Sequence, residues 1–321
     1  MSFSIEDSRL DPAASERSWD VVGVGANSVD LVAFLPAFPE PTGWLSKMRI
    51  RRELTCCGGQ TATTLATCAS FGLRTAYVGC TGDDENGRRI RAELSRRGVD
   101  VHAAPARPAP NQHAIIIVDE RTGERTVLWD RDERLRLEEG DVRPELLART
   151  RLLHVDDVDQ DAALGAAVAA GKMGLAVTSD LDRMTDLTER LVGAVTHPIF
   201  AEALLEQLTG IADHERALRK VRQRHSGVLC VTVGDQGAQA LDGDRFIHSP
   251  GFAVHPVDTT GSGDVFRGGF IYGLLQGWDT ARILRFANAA AAVSCTRVGA
   301  MDGTPAREEI TALAPEFASP P

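Results

Sequence analysis

The residues from Val257 to Phe270 carry the densest chemistry in the chain: Val-Asp-Thr-Thr-Gly-Ser-Gly-Asp-Val-Phe-Arg-Gly-Gly-Phe. A Gly/Ser turn runs directly into an apolar helix, with one carboxylate, Asp264, at the junction. A helix start carries unpaired N–H groups and the positive end of the macrodipole, so it holds anions without a lysine. Gly261, Ser262 and Gly263 let the backbone approach an anion closely, because little side chain is in the way. Asp264 stands where it can take a proton from a hydroxyl that attacks that anion. A cradle for an anion beside a base points to phosphoryl transfer. An ordinary helix cap also accounts for Gly-Ser-Gly-Asp in isolation, so the rest of the chain has to decide.

Other chemistries are excluded by what is missing. There is no Gly-x-x-x-x-Gly-Lys-[Ser/Thr], so a P-loop is ruled out. Gly23-x-Gly25-x-x-Ser28 lacks the third glycine of a dinucleotide site, and Pro36, Pro39 and Pro41 follow where a helix would be needed. Neither His-Glu-x-x-His nor Gly-x-Ser-x-Gly is present. A net charge of -10 argues against nonspecific binding to nucleic acid or to an anionic membrane. No apolar run is long enough to span a bilayer, and no leader pattern opens the chain, so a cytoplasmic protein is expected. The six cysteines form no C-x-x-C pair and are expected as buried free thiols.

The elements that must position these groups follow from periodicity. Trp19 to Gly25 reads as a buried strand ending in a Gly turn, and Gly58 to Gly72 as a small-residue helix. Ala76 to Gly79 is a strand and Asp84 to Arg97 a charged helix. His113 to Val118 and Arg125 to Trp129 form a β-hairpin. Leu152 to Val155, Ala176 to Ser179, Ile199 to Ala201 and Val228 to Val233 alternate with helical segments, the pattern of a parallel sheet with crossover helices. Ala281 to Val293 is an Ala-rich helix. One α/β domain over 19–312 is expected, with insertions at about 31–54 and 111–130, a loose N-terminal tail over 1–18 and a C-terminal tail over 313–321.

The Asp-Thr-Thr-Gly-Ser-Gly-Asp-x-Phe string resembles the C-terminal signature of the ribokinase-like, or PfkB-type, sugar and nucleoside kinases, with Ser262 in place of the usual alanine. The resemblance runs from Trp19 to about Pro305. It implies a three-layer Rossmann-like ribokinase fold, with a central, mostly parallel sheet and the two insertions as a small β-sheet lid. It implies ATP-dependent phosphorylation of a hydroxymethyl group on a sugar or nucleoside. Asp264 would be the base, and Gly261, Ser262 and Gly263 the anion hole. Asp30, Gly58, Gly59, Gln60 and Thr63 fall on the family's acceptor-binding positions. Gln60 and Thr63 replace residues that are usually Asn or Lys, and Asn. Thr232, Gly234, Gly237 and Asn288 fall on its ATP-binding positions. Glu202 falls on a position linked to Mg²⁺, but Ile199 replaces the Asn that usually accompanies it. Asp258 and Thr260, with Ser294, Arg297 and Gly299, match a loop that surrounds a monovalent cation such as K⁺, mostly through carbonyls. The family also implies a homodimer through the lid. The replacements at Thr63 and Ile199 leave a weakly active or inactive sugar- or nucleotide-binding homologue as the alternative.

Overall fold

The computed structural model describes residues 18–318 apart from residue 123. The chain starts with β1 (Trp19–Val24), passes into β2 (Ser28–Leu35) and β3 (Arg52–Gly58), and continues through α1 (Gln60–Ser70) and β4 (Thr75–Val78). Next come β5 (Thr81–Gly82), α2 (Glu85–Arg96), β6 (Val99–Asp100), β7 (Ala106–Arg107), β8 (His113–Asp119) and β9 (Arg125–Asp130). Then α3 (Pro144–Leu147), β10 (Thr150–Asp156), α4 (Gln160–Lys172), β11 (Ala176–Asp180), α5 (Thr188–Ala194) and β12 (Ile199–Ala201) alternate. After α6 (Glu202–Thr209) and α7 (His214–Arg222), the chain runs through β13 (Leu229–Thr232), β14 (Ala238–Asp242) and β15 (Arg245–Ser249). It ends in α8 (Ser262–Leu275), α9 (Thr280–Ser294) and α10 (Arg307–Leu313).

The strands β11-β10-β1-β4-β6 are all parallel, and isolated bridges at Thr178–His197 and Leu181–Phe200 join them to β12-β13-β14-β15. Only the pairings β13–β14 and β14–β15 are antiparallel in this layer. The near-continuous apolar runs are explained by helices on both faces. Val22, Val78, Leu153 and Val177 pack with α4 to α7, whereas Val21, Tyr77 and Leu152 pack with α1, α2 and α8.

The second sheet is separate, in the order β3-β2-β8-β9, and it contains the expected hairpin as β8 and β9. Asn27 fixes the place where the chain leaves one sheet for the other. Its amide nitrogen donates to Tyr77 Oη at 2.9 Å and to the Cys80 carbonyl at 2.8 Å, and its oxygen accepts from Asn111 at 2.9 Å. The expected tail at 1–18 lies, except for Ser18, outside the described residues, as do 319–321. The segment from 313 is not loose as far as Phe317. That ring is buried 5.1 Å from Phe286, because the aromatic cluster on α9 needs a cover. All six cysteines are free, five of them buried and Cys295 partly exposed.

Candidate active site

The C-terminal ends of β1, β10 and β11 meet the N-termini of α1 and α8, the crevice where open α/β sheets present ligand groups. Gly59 caps α1 at φ 99°, and Gly261 caps α8 in the left-handed region at φ 78°. Neither position tolerates a side chain. A Cβ on Gly59 would lie 2.3 Å from the Asn27 backbone, and one on Gly261 would lie 2.6 Å from Ala300 Cβ. The two helix starts are tied together by Thr64, whose hydroxyl donates to the Asp264 carbonyl at 3.1 Å.

Asp264 lies in the first turn of α8, partly open to the cleft. Dehydration by its surroundings pushes its carboxyl up to about 7, opposed by Arg267 and a hydrogen bond with Asp180, and aided by Asp156 and Asp182. Asp180 ends β11 and is buried, which holds its carboxyl well above the ordinary range despite Arg267. Arg267 reaches back over the first turn of α8. It meets Asp180 Oδ1 at 2.6 Å in a buried ion pair and donates to the Gly263 carbonyl at 2.9 Å. The guanidinium is therefore committed to orienting the helix start and Asp180.

Two more acids complete this floor. Asp156, at the end of β10, accepts from the Ala26 amide at 2.6 Å and the Thr61 hydroxyl at 2.8 Å, locking β10 to α1. Burial raises its proton affinity. Asp157 accepts from the amides of Asp182 and Arg183 through Oδ2, both at 2.7 Å, while its buried Oδ1 has no hydrogen-bond partner. Burial and Asp182 push its carboxyl up to about 8. The motif reading did not single out Asp156, Asp157, Asp180 and Asp182. The available signal was acids directly after the predicted strands Leu152 to Val155 and Ala176 to Ser179.

Asp30 is buried on β2 of the small sheet, with Ser28 donating to Oδ1 at 2.5 Å. Burial raises its carboxyl above the ordinary value. Gly58 faces it, since a Cβ there would lie 2.8 Å from Asp30 Oδ2 and 3.5 Å from Ala300 Cβ. Asp30, Gly58 and the loop behind the cradle thus meet. Gln60 and Thr63 occupy the first turn of α1, and the buried Thr63 hydroxyl lacks a partner.

The cradle is backed by the predicted cation loop. Asp258 accepts from the Thr260 amide at 2.8 Å and from the Gly299 amide at 2.9 Å. The carbonyls of Gly299 and Ser294 both border Gly303, where a Cβ would lie 2.9 Å and 3.1 Å from them, and the Gly299 carbonyl accepts from the Gly303 amide at 2.8 Å. The Arg297 side chain turns away to Glu309.

Thr232 ends β13, and Gly234 and Gly237 make the following turn with positive φ. Asn288 is buried, with its amide nitrogen donating to the Ser249 carbonyl at 2.8 Å, so that nitrogen anchors the segment after β15. Glu202 opens α6 directly after β12, where the Ala201 amide donates to the Leu181 carbonyl at 2.8 Å; His214 Nε2 lies 2.9 Å from its Oε1 and its side chain is 56% exposed.

A carboxylate at the start of α8, the glycine turn before it and the buried Asp30 of the small sheet share one crevice of a ribokinase fold. Residues 20–307 match the model of the pfkB family carbohydrate kinases, and the chain belongs to that family. It is 26% identical over 295 residues to the ribokinase of Haemophilus influenzae, covering 89% of this chain and 95% of that protein. It is 29% identical to the acarbose 7(IV)-phosphotransferase of an Actinoplanes species, covering 88% and 95%. The crystal structure of ribokinase from Thermotoga maritima superposes with a TM-score of 0.79 at 24% identity, covering 92% of this chain and 99% of that one, and shares the fold. No helix among the described residues is long and apolar enough to cross a membrane.

Proposed function

We propose that this chain transfers the γ-phosphoryl group of ATP to a hydroxymethyl group of a sugar or nucleoside. The observation that carries the reading is Asp264, a carboxylate whose surroundings raise it to about 7 at the mouth of an anion cradle. A base is most effective when its proton affinity lies near working pH. Asp264 accepts the hydroxyl proton as the acceptor oxygen attacks. The cradle at Gly261, Ser262 and Gly263 receives the charge of the transferring group. Asp30 holds acceptor hydroxyls, since a carboxylate accepts two hydrogen bonds at once. Gly58 and Gly59 allow the acceptor close to α1, and Gln60 and Thr63 select it. Thr232, Gly234 and Gly237 lie along the nucleotide, with Asn288 holding the neighbouring segment.

Mg²⁺ fits the acid floor: Asp157 has a buried carboxylate oxygen without a partner beside Asp182, and hard cations take oxygen ligands. Asp157 and Asp182 would hold it, and Glu202, engaged by His214, is the less suitable donor. When bound, the ion neutralises charge on the ATP phosphates. A monovalent cation such as K⁺ suits the oxygen donors of the loop that Asp258 stitches to Thr260 and Gly299, and the carbonyls of Ser294 and Gly299 would help hold it. Arg297 contributes through its main chain, since its guanidinium faces Glu309. The outer face of the lid suits a second copy of the chain. Leu31, Ile115 and Leu128 share one row there, with Ile115 and Leu128 among the exposed apolar residues. ATP turnover over a panel of sugars and nucleosides, with and without K⁺, tests the reading. Absence of phosphorylated product across the panel would reject it in favour of a binding protein.

A further inference from the structure

The register of the small sheet places an unused aromatic ring on the acceptor's side of the cleft. Asp30 on β2 pairs with Ala114 on β8, and Ala114 pairs with Trp129 on β9. Partners across a ladder point to the same face of a sheet, so Asp30, Ala114 and Trp129 form one row. This is the inward face. Its next members, Val32, Phe34 and Ile116, pack with Val298, directly before the Gly299–Ala300 segment that backs the anion cradle. Ala114 is small and buried, which leaves the ground between the acid and the ring low. Trp129 is 61% exposed, unusual for the largest apolar side chain at an inward position. Across from it, Arg183 sits with its guanidinium 5.7 Å from the ring centroid, and its backbone is held by Asp157 at the acid floor. Trp129 is thus at the cleft edge between the lid and the end of β11.

We infer that Trp129 is a stacking platform for a second ring of the acceptor, so that the preferred acceptor is a nucleoside or a glycoside and not a free monosaccharide. The inference rests on the kinase reading above for which end of the acceptor reacts. Two strand spacings separate Asp30 from Trp129, about 10 Å. A ligand anchored by its hydroxyls at Asp30 reaches the tryptophan only if it extends beyond one sugar ring. The indole face takes either a nucleobase or the apolar face of a pyranose, and Arg183 borders the same space.

The test compares acceptor KM and kcat for ribose, fructose, adenosine and maltose in the wild type, Trp129→Ala and Trp129→Phe. Calorimetric titration of the same four compounds without ATP runs beside it. The expected result is that adenosine or maltose has a higher kcat/KM than either monosaccharide. Trp129→Ala then raises the KM of that acceptor about tenfold relative to the KM of ribose, the worth of one good aromatic contact. Trp129→Phe keeps most of the wild-type affinity because it retains a ring. An effect on adenosine alone identifies a base as the second ring, and an effect on maltose alone identifies a sugar. Ribose or fructose as the best acceptor, an equal change for all four compounds in Trp129→Ala, or binding of neither two-ring compound overturns the inference. Failure of the kinase reading looks different: Trp129-dependent binding in the titration, with no ATP turnover, keeps the platform and rejects phosphoryl transfer.

Discussion

Asp264→Asn should lose activity and gain stability, and the gain should depend on pH. The substitution removes the proton acceptor while keeping the side-chain size. The neutral amide can still accept from Asp180 through its oxygen, as the Asp264 carboxylate does. Loss of general-base catalysis lowers kcat by roughly 10²- to 10⁴-fold. The gain in stability comes from the raised proton affinity, from 3.8 to about 7. A carboxyl whose folded value lies above its unfolded value favours folding most when protonated, and this advantage is lost as pH rises through the folded value. The difference corresponds to about 4 kcal/mol of cost above neutral pH. The opening to the cleft and the shared interaction with Asp180 reduce this to about 2 kcal/mol. Asp264→Asn avoids that cost. Its advantage over the wild type should therefore grow between about pH 4 and 7 and level off above. Guanidinium unfolding at pH 5, 7 and 8, beside kcat at pH 8, gives both numbers. Near-wild-type turnover would refute the role of the base. A variant less stable than wild type at pH 8 would refute the account of the strained carboxylate.

Three further outcomes follow from the same geometry. Asp30→Ala should raise the acceptor KM by roughly 10- to 100-fold, the worth of hydrogen bonds to a charged group, with the ATP KM little changed; equal rises in both, in steady-state assays, would make Asp30 structural. Gly261→Ala must hold alanine at φ 78° against Ala300, so unfolding measurements should show a loss of about 1–3 kcal/mol with a fall in kcat; unchanged values would mean the cradle can relax. The double variant Gln60→Asn, Thr63→Asn should shift kcat/KM towards ribose or fructose, because unmatched buried polar groups discriminate strongly and the Thr63 hydroxyl lacks a partner in the free protein; no shift in a competition assay would assign selection to the lid.

The glycine turn into α8 and the place of Asp264 in its first turn were legible in the sequence because their signals are contiguous. Gly261 to Asp264 need only local backbone freedom and a helix start, and both can be read from neighbouring residues. The buried strands and the β8–β9 hairpin were legible for a similar reason, since apolar runs bounded by turn residues state their own periodicity. The antiparallel strands β14 and β15 were not, because their short alternating segments resemble surface loop until β13 offers a partner. The proton affinity of Asp264 depends first on burial and then on Arg267, Asp180, Asp156 and Asp182, so only packing sets it. Arg267 illustrates the limit: its sequence position permits either a phosphate contact or a salt bridge, and the buried Asp180 carboxylate decides for the latter. Glu202 likewise carries the right charge at the matching motif position, yet the turn into α7 presents His214 to it. Trp129 reads in sequence as one more strand residue. Its place in the same row as Asp30, across Ala114, exists only in the register of the small sheet, where a shift by one residue would have turned the ring to the other face.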